Sequence, residues 1–276
     1  MNGKEQAQQI REREIGSQNK QALIVEGSDD KTALTILLKN YYPTWEQRWV
    51  IAIAGNKQRV LKVLGVEPTW IGLVDRDTWD QATIDQQAQA LPNLVVLNRW
   101  CMENYLINPA ELWLALPSLQ QTKVEGGEAN FTHSILGTLP EYVRHGVLWQ
   151  VITPLRSGLH ARGFMKALAT ESSVATAQDD GEIRRVLEDW DQLLEPRHIF
   201  AEFQQHLREV QQLAQAEQLA RWVHGKTFWK QVVHPYMNNV FGQMPEMRHK
   251  EKLFQKLLLP SDLESLRQRL QLGADS

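Results

Sequence analysis

Four short runs in the first hundred residues carry no charged or amide side chain: Ala22 to Val25, Trp49 to Ala54, Trp70 to Val74 and Leu94 to Leu97. A strand with one wet face alternates polar and apolar positions, so an unbroken apolar run reads as a strand buried on both faces, as in a parallel sheet. The intervening segments have helical spacing. After the first run comes DKTALTILLKNYY, with Leu34, Leu37 and Leu38 on one side and Ser28, Asp29 and Asp30 placed to cap its start. The second run ends at Gly55-Asn56 and leads into KQRVLKVLG, where Val60, Val63 and Leu64 line up. The third ends in Asp75-Arg76-Asp77 and precedes DQATIDQQAQAL, which Pro92 closes; the fourth stops at Asn98-Arg99. Strand and helix in alternation predict an α/β fold: an open, mostly parallel sheet with helices on both faces and right-handed crossovers.

From Asn108 onward the pattern becomes helical, in PAELWLAL, around His133 to Val151, and in DDGEIRRVLEDWDQLL, PRHIFAEFQQHLREVQQLAQAEQLARWV, KEKLFQKLLL and DLESLRQRLQL. Looser pieces lie at KVEGGEAN and TESSVATAQDDG, and RSGLHAR at 156 to 162 reads as a glycine-containing turn with three basic-capable groups. The expected organisation is a flexible or helical segment over 1–19, an α/β domain over 20–115, and a largely helical portion over 116–276 packed on that core.

Composition narrows the chemistry only at a few points. A single cysteine, Cys101, excludes an intramolecular disulfide and a multi-cysteine zinc site, and reads as a buried small residue. No segment offers the roughly 20 apolar residues of a membrane span, and the first residues lack the apolar stretch of a signal peptide, so a cytoplasmic protein without membrane contact is expected. Thirty basic against 33 acidic residues give a formal charge of -3. Any nucleic-acid contact must therefore come from a local basic surface or through metal ions. The tryptophans Trp45, Trp49, Trp70, Trp100, Trp113 and Trp149 read as core, while Trp79 stands beside the acidic loop.

That loop is the informative part. Glu26 follows the first strand directly, Asp30 lies four residues on, and Asp75 and Asp77 close the third strand, all at carboxyl ends where open parallel sheets place ligands. If the backbone stays extended, the carboxylates of Asp75 and Asp77 face one point. Converging carboxylates repel unless a hard cation neutralises them, and an all-oxygen set favours Mg²⁺ or Mn²⁺. The competing reading is that these are solvated acids capping helices. Asn56, Lys57 and Arg59 follow the second strand at the same edge, either to hold phosphate or as a wet face.

A strand ending in Glu-Gly, with Asp30 following and a later strand ending in Asp-x-Asp, resembles the TOPRIM fold of topoisomerases, bacterial primases and the overcoming-lysogenization-defect nucleases. MENYLINP at 102–109 and WVHGKTFWK at 222–230 resemble the DUF4435 family, whose members look like relatives of those nucleases. The resemblance implies a nuclease that hydrolyses DNA phosphodiester bonds with one or two Mg²⁺ or Mn²⁺ ions, in bacterial defence. It implies Glu26, Asp30, Asp75, Asp77 and Glu103 as metal ligands and Lys226 beside the scissile phosphate, so that Glu26, Asp75, Asp77 and Lys226 would form the catalytic set. His224 is a further candidate phosphate contact or acid/base group.

No P-loop of the form GxxxxGK[ST] occurs, so an ATPase would have to be a partner protein; DNA and a second copy of the chain are the other expected partners. Two rivals stay open at this stage. One is another TOPRIM-type phosphoryl-transfer enzyme, although zinc-ribbon cysteines are lacking. The other is a non-catalytic, nucleic-acid-binding or regulatory subunit.

Overall fold

The structure is a computed structural model that describes residues 2–16, 19–168 and 176–272. It opens with helix α1 (Gly3–Ile10), extended by a wider turn over Arg11–Ile15. The α/β segment follows: β1 (Gln21–Val25), α2 (Ser28–Tyr41), β2 (Trp49–Ile53), α3 (Lys57–Leu64), β3 (Ile71–Val74), α4 (Gln81–Ala90) and β4 (Leu94–Val96). Each of the four apolar runs is a strand, and all three strand pairings are parallel, in the order β2-β1-β3-β4.

Right-handed crossovers then fix the layers. The chain steps from β1 to β2 in one direction and from β2 to β3 in the other, so α2 and α3 lie on opposite faces. Side chains alternate accordingly. Ala22, Ile24, Ala52 and Val74 join Val60, Val63 and Leu64 of α3 and Ala7 and Ile10 of α1 in one apolar cluster. The backbone of Gly72 faces the same way, and a Cβ there would lie 2.5 Å from Leu64 and 2.9 Å from Val60. The odd-numbered residues Leu23, Val25, Ile51 and Leu73 are buried on the other face. Since β1 and β3 are neighbours whose following helices leave on opposite faces, their carboxyl ends frame the crevice at which the topology switches.

Beyond β4 the described elements are helical. A tight turn of helix covers Met102–Leu106, followed by α5 (Pro109–Ala115), α6 (Ser118–Gln121), α7 (Gly127–Leu136) and α8 (Leu139–Ala161). Then come α9 (Asp180–Leu193), α10 (Pro196–Gln211), α11 (Gln215–Arg221), α12 (Gly225–Phe228), α13 (His234–Phe241), α14 (Glu246–Phe254) and α15 (Glu264–Arg269). The chain forms two compact units, residues 1–139 with 219–276, and residues 140–218. The change of texture at Asn108 follows the last strand, which ends at Val96, while the units divide at 139/140 and 218/219 rather than at 115.

Two local expectations are corrected. Residues 156–161 of RSGLHAR continue α8, because one glycine inside a run of helix formers does not end a helix whose hydrogen bonds continue to Ala161. Trp149 is 38% exposed, since the buried stripe of α8 runs through Val143, Val147 and Val151 and leaves it on the flank. The first half of TESSVATAQDDG, 170–175, lies outside the described residues, and its end, Asp180-Gly181, opens α9. Among the described residues, no helix is long and apolar enough to cross a membrane.

Candidate functional site

Strand β1 delivers Glu26 and strand β3 delivers Asp75 to adjacent points of the crevice. The two are tied directly, because the Asp75 amide donates to Glu26 Oε1 at 3.0 Å. Asp30 arrives from the first turn of α2. Its Oδ2 accepts the Gly27 amide at 2.9 Å, as a helix-capping acid does. The capping reading and the site reading therefore hold for one residue at once. Asp75 is 4% exposed, and its Oδ1 accepts the Met102 amide at 3.2 Å.

Its other oxygen meets Lys226, whose Nζ donates to Asp75 Oδ2 at 3.1 Å across 151 residues of sequence. The chain builds this contact through backbone. Asp77 N–H donates to the Trp100 carbonyl at 2.9 Å, and Trp100 N–H donates to the Ala220 carbonyl at 2.8 Å. Asn104, fully buried, donates from Nδ2 to the carbonyls of Leu219 (2.7 Å) and Val223 (2.9 Å), while its Oδ1 accepts the Cys101 amide. Gly225 completes the junction: a Cβ there would sit 2.3 Å from Asn104 Oδ1 and 2.9 Å from Asn104 N. Only a hydrogen fits, which is why Gly precedes the lysine. His224 packs edge-on against Trp100 and bonds Thr227 Oγ1 through Nδ1 at 2.7 Å, across the start of α12.

Asp75 and Asp77 do not converge as an extended strand would make them. The strand ends at Val74, and Asp77 adopts φ +51, a left-handed conformation that turns the chain. The Asp77 side chain is 46% exposed and its Oδ2 accepts from Lys57 Nζ at 2.7 Å. Lys57, on the first turn of α3, also lies 4.4 Å over the ring of Trp79. Asn56 caps α3 by accepting the Arg59 amide.

Glu103 is not a solvated loop acid. It is 3% exposed, and its Oε1 accepts from Lys250 Nζ at 3.0 Å. Lys250, itself 5% exposed on α14, also reaches Asp29 Oδ2 at 3.3 Å and Glu246 Oε1 at 3.0 Å. Glu103 Oε2 is buried with no hydrogen-bond partner among the described residues. Lys250 was not among the candidate site residues read from the sequence, where KEKLFQKLLL stood only as a helical segment. The missed signal was its phase: Lys250 shares the inward face of α14 with His249, Leu253 and Phe254.

These groups line a cleft of about 450 Å³ that includes Glu26, Asp30, Glu103, Lys226, Lys230 and Lys250. With Asp29, Glu246, Asp75, Asp77 and Lys57, seven carboxylates face four ammonium groups. The imbalance is felt locally. Burial, partly offset by Lys57, raises the Glu26 pKa; burial, aided by Glu103 and Glu26, raises that of Asp30; burial, then Asp30, raises that of Asp75. Burial opposes the charge on Lys226, but Asp75 and Glu103 outweigh it and hold its pKa above the usual lysine range. Among the described residues, no group of three or more His, Cys, Asp and Glu side chains is arranged as a ready metal cage. Lys226 and Lys57 instead hold the ends of Asp75 and Asp77. Compared with protein-family models, curated proteins and solved structures, the chain matched none.

Proposed function

We propose that the chain is a nuclease of TOPRIM type, related to the overcoming-lysogenization-defect group and the DUF4435 family, that hydrolyses DNA phosphodiester bonds with Mg²⁺ or Mn²⁺. The observation that carries the reading is the meeting of Glu26, Asp30 and Asp75, from three separate segments at the switch crevice, with Lys226 bonded to the most buried of them. The donor set fits a hard divalent cation, since all donors are carboxylate oxygens and their mutual repulsion leaves charge to be neutralised. Glu26, Asp30 and Asp75 would hold it, with Asp77 at the rim. Bound there, such an ion supplies positive charge to the phosphoryl oxygens and makes water more acidic.

The chain's own groups act around that point. Lys226, half exposed on a short helix, presents an ammonium to the charge that grows on the non-bridging oxygens. Its bond to Asp75 keeps it protonated and aimed. Glu26 fixes the end of β3 through the Asp75 amide, so the two acids keep their separation during turnover. Lys57 restrains Asp77. A DNA substrate, an ATPase partner and self-association all belong to this reading.

The test is cleavage of labelled supercoiled, linear and single-stranded DNA in Mg²⁺ and Mn²⁺ by wild type and by Asp75→Asn. Metal-dependent cleavage by the wild type, reduced by about 10³-fold or more in a folded variant, is expected. Wild-type protein that binds DNA and leaves it intact on all three substrates would replace this reading with that of a regulatory subunit.

A further inference from the structure

Asp29, Glu103, Glu246 and Lys250 line the cleft together with Glu26 and Asp30, and they form one cluster centred on the lysine. Lys250 comes from α14, Glu246 from one turn earlier in the same helix, Glu103 from the tight turn after β4 and Asp29 from the first turn of α2. The Lys250 ammonium lies 3.0 Å from Glu103 Oε1, 3.0 Å from Glu246 Oε1 and 3.3 Å from Asp29 Oδ2. An ammonium has three donors, so each of them has its own carboxylate. The ring of Trp229 stands 6.0 Å away.

Three carboxylates from three segments are the ligand set of a divalent cation, and here the chain supplies the cation itself. Asp29 and Glu246 are partly exposed, so water screens their charge. Glu103 is buried and needs a fixed counter-charge, which Lys250 gives it. Neither Glu103 oxygen is then left for an ion. Oε1 carries the lysine, and Oε2 is closed off from solvent, whereas Mg²⁺ keeps several of its waters when it binds. Asp75 differs, although it too is bonded to a lysine. Lys226 is half exposed and bonded to Asp75 alone among the described residues, so a small shift into water frees the Asp75 oxygen. Lys250 is buried and held at three points.

We infer that Lys250 is a built-in counter-cation that takes the place of a second divalent ion at Glu103, so that the crevice binds a single ion, at Glu26, Asp30 and Asp75. This rests on the metal-dependent reading above and fixes its stoichiometry. An ion at Glu103 would come and go with its concentration. The ammonium is present at every metal concentration, and through Glu103 it holds the turn whose Met102 amide bonds Asp75.

The experiment counts the Mn²⁺ bound to the full chain from the paramagnetic resonance of the free ion, with no nucleic acid present. The wild type is expected to bind one Mn²⁺, and Glu103→Gln to bind one with the same affinity. Lys250→Ala leaves the three carboxylates without their cation and should bind a second Mn²⁺; the ion should then raise its thermal midpoint by more than it raises that of the wild type. Two ions on the wild type, or a fall in affinity of about tenfold or more in Glu103→Gln, would make Glu103 a metal ligand and overturn the inference while the metal-dependent reading stands. A folded Lys250→Ala that binds only one ion would overturn it as well. If Lys250→Ala does not fold, the wild-type count and Glu103→Gln decide the matter by themselves. A wild type that binds no Mn²⁺ would overturn both readings.

Discussion

The two compact units handle polar and apolar groups in opposite ways. Every buried polar or charged residue identified among the described residues, from Gln6 and Asn93 to Asp75, Glu103, Asn104, His249 and Lys250, belongs to the unit that contains the sheet. The unit over 140–218 has an apolar interior that includes Val143, Val147, Val151, Phe203 and Val210, and it exposes Leu148, Trp149, Ile152, Leu187 and Phe200. Burying a charge is unfavourable unless partners meet it, so a region that does so repeatedly is held by networks as much as by packing. The helical unit keeps its polar contacts, such as Arg162 with Asp189 and Trp190 Nε1 with the Arg162 carbonyl, outside a buried interior and has apolar surface to spare. Its larger cleft, about 680 Å³ between Arg144, His145, Phe200 and Phe203, has Glu141 as its one carboxylate and offers no converging acids. The converging carboxylates and lysines of the candidate site all lie in the first unit.

The contrast is broken most severely at Lys250. Lys250→Ala leaves Glu103 buried, charged and without a counter-ion, and should cost about 4 kcal/mol in chemical denaturation. The double change Lys250→Met with Glu103→Leu removes both charges and should recover most of that loss. If the single change cost under about 1 kcal/mol, the pair would be behaving as a surface ion pair.

Gly225→Val comes next, at about 3 kcal/mol, because its side chain collides with the backbone and amide of Asn104. Hydrogen exchange should show the loss in the 101–106 turn and in 219–226. On the proposed nuclease reading cleavage should fall with it, since Lys226 is displaced from Asp75.

How far the sequence disclosed all this depends on the kind of contact. The strands were legible because both faces of each are covered, so composition alone marks them. Glu26, Asp30, Asp75 and Asp77 were legible because strand ends fix where they stand, although the positive φ at Asp77, which separates it from Asp75, leaves no mark in an Asp-x-Asp motif. Asn104 was inside a quoted motif and was passed over for its neighbour, because its bonds run to Leu219 and Val223, more than a hundred residues away. Lys250 was readable only by helical phase. The division at 139/140 was not legible, since α8 (Leu139–Ala161) crosses it without a change of composition.

A smaller effect tests the polar interior through pH. His249 is fully buried between His234 and Phe241, and neither ring nitrogen has a hydrogen-bond partner among the described residues. Burial, then the neighbouring His234, pushes its pKa down to about 4. The unfolded chain takes up this proton near pH 6.5 and the folded one only near 4, so this contribution to stability is complete above about 6.5, declines as pH falls through the interval, and levels off below about 4. Thermal midpoints measured from pH 7.5 down to 5 should therefore fall more steeply for wild type than for His249→Phe. Parallel curves would mean that the ring is protonated or solvated in the folded state.

The weakest effect decides whether the helical unit has surface to spare. Leu148 is 43% exposed and Phe200 54%, whereas Phe203, three residues along the same helix, is 4% exposed with Arg144 over its ring. Truncating a side chain that is already wet removes little from the folded state, so Leu148→Ser and Phe200→Ser should each change stability by no more than about 0.5 kcal/mol. Phe203→Ala, which empties a packed position, should cost about 3 kcal/mol. Denaturant titration of the three variants separates the cases: a cost at Leu148 or Phe200 approaching that at Phe203 would mean these side chains are covered in solution, and the helical unit would then have no free apolar face to set against the charged interior of the other.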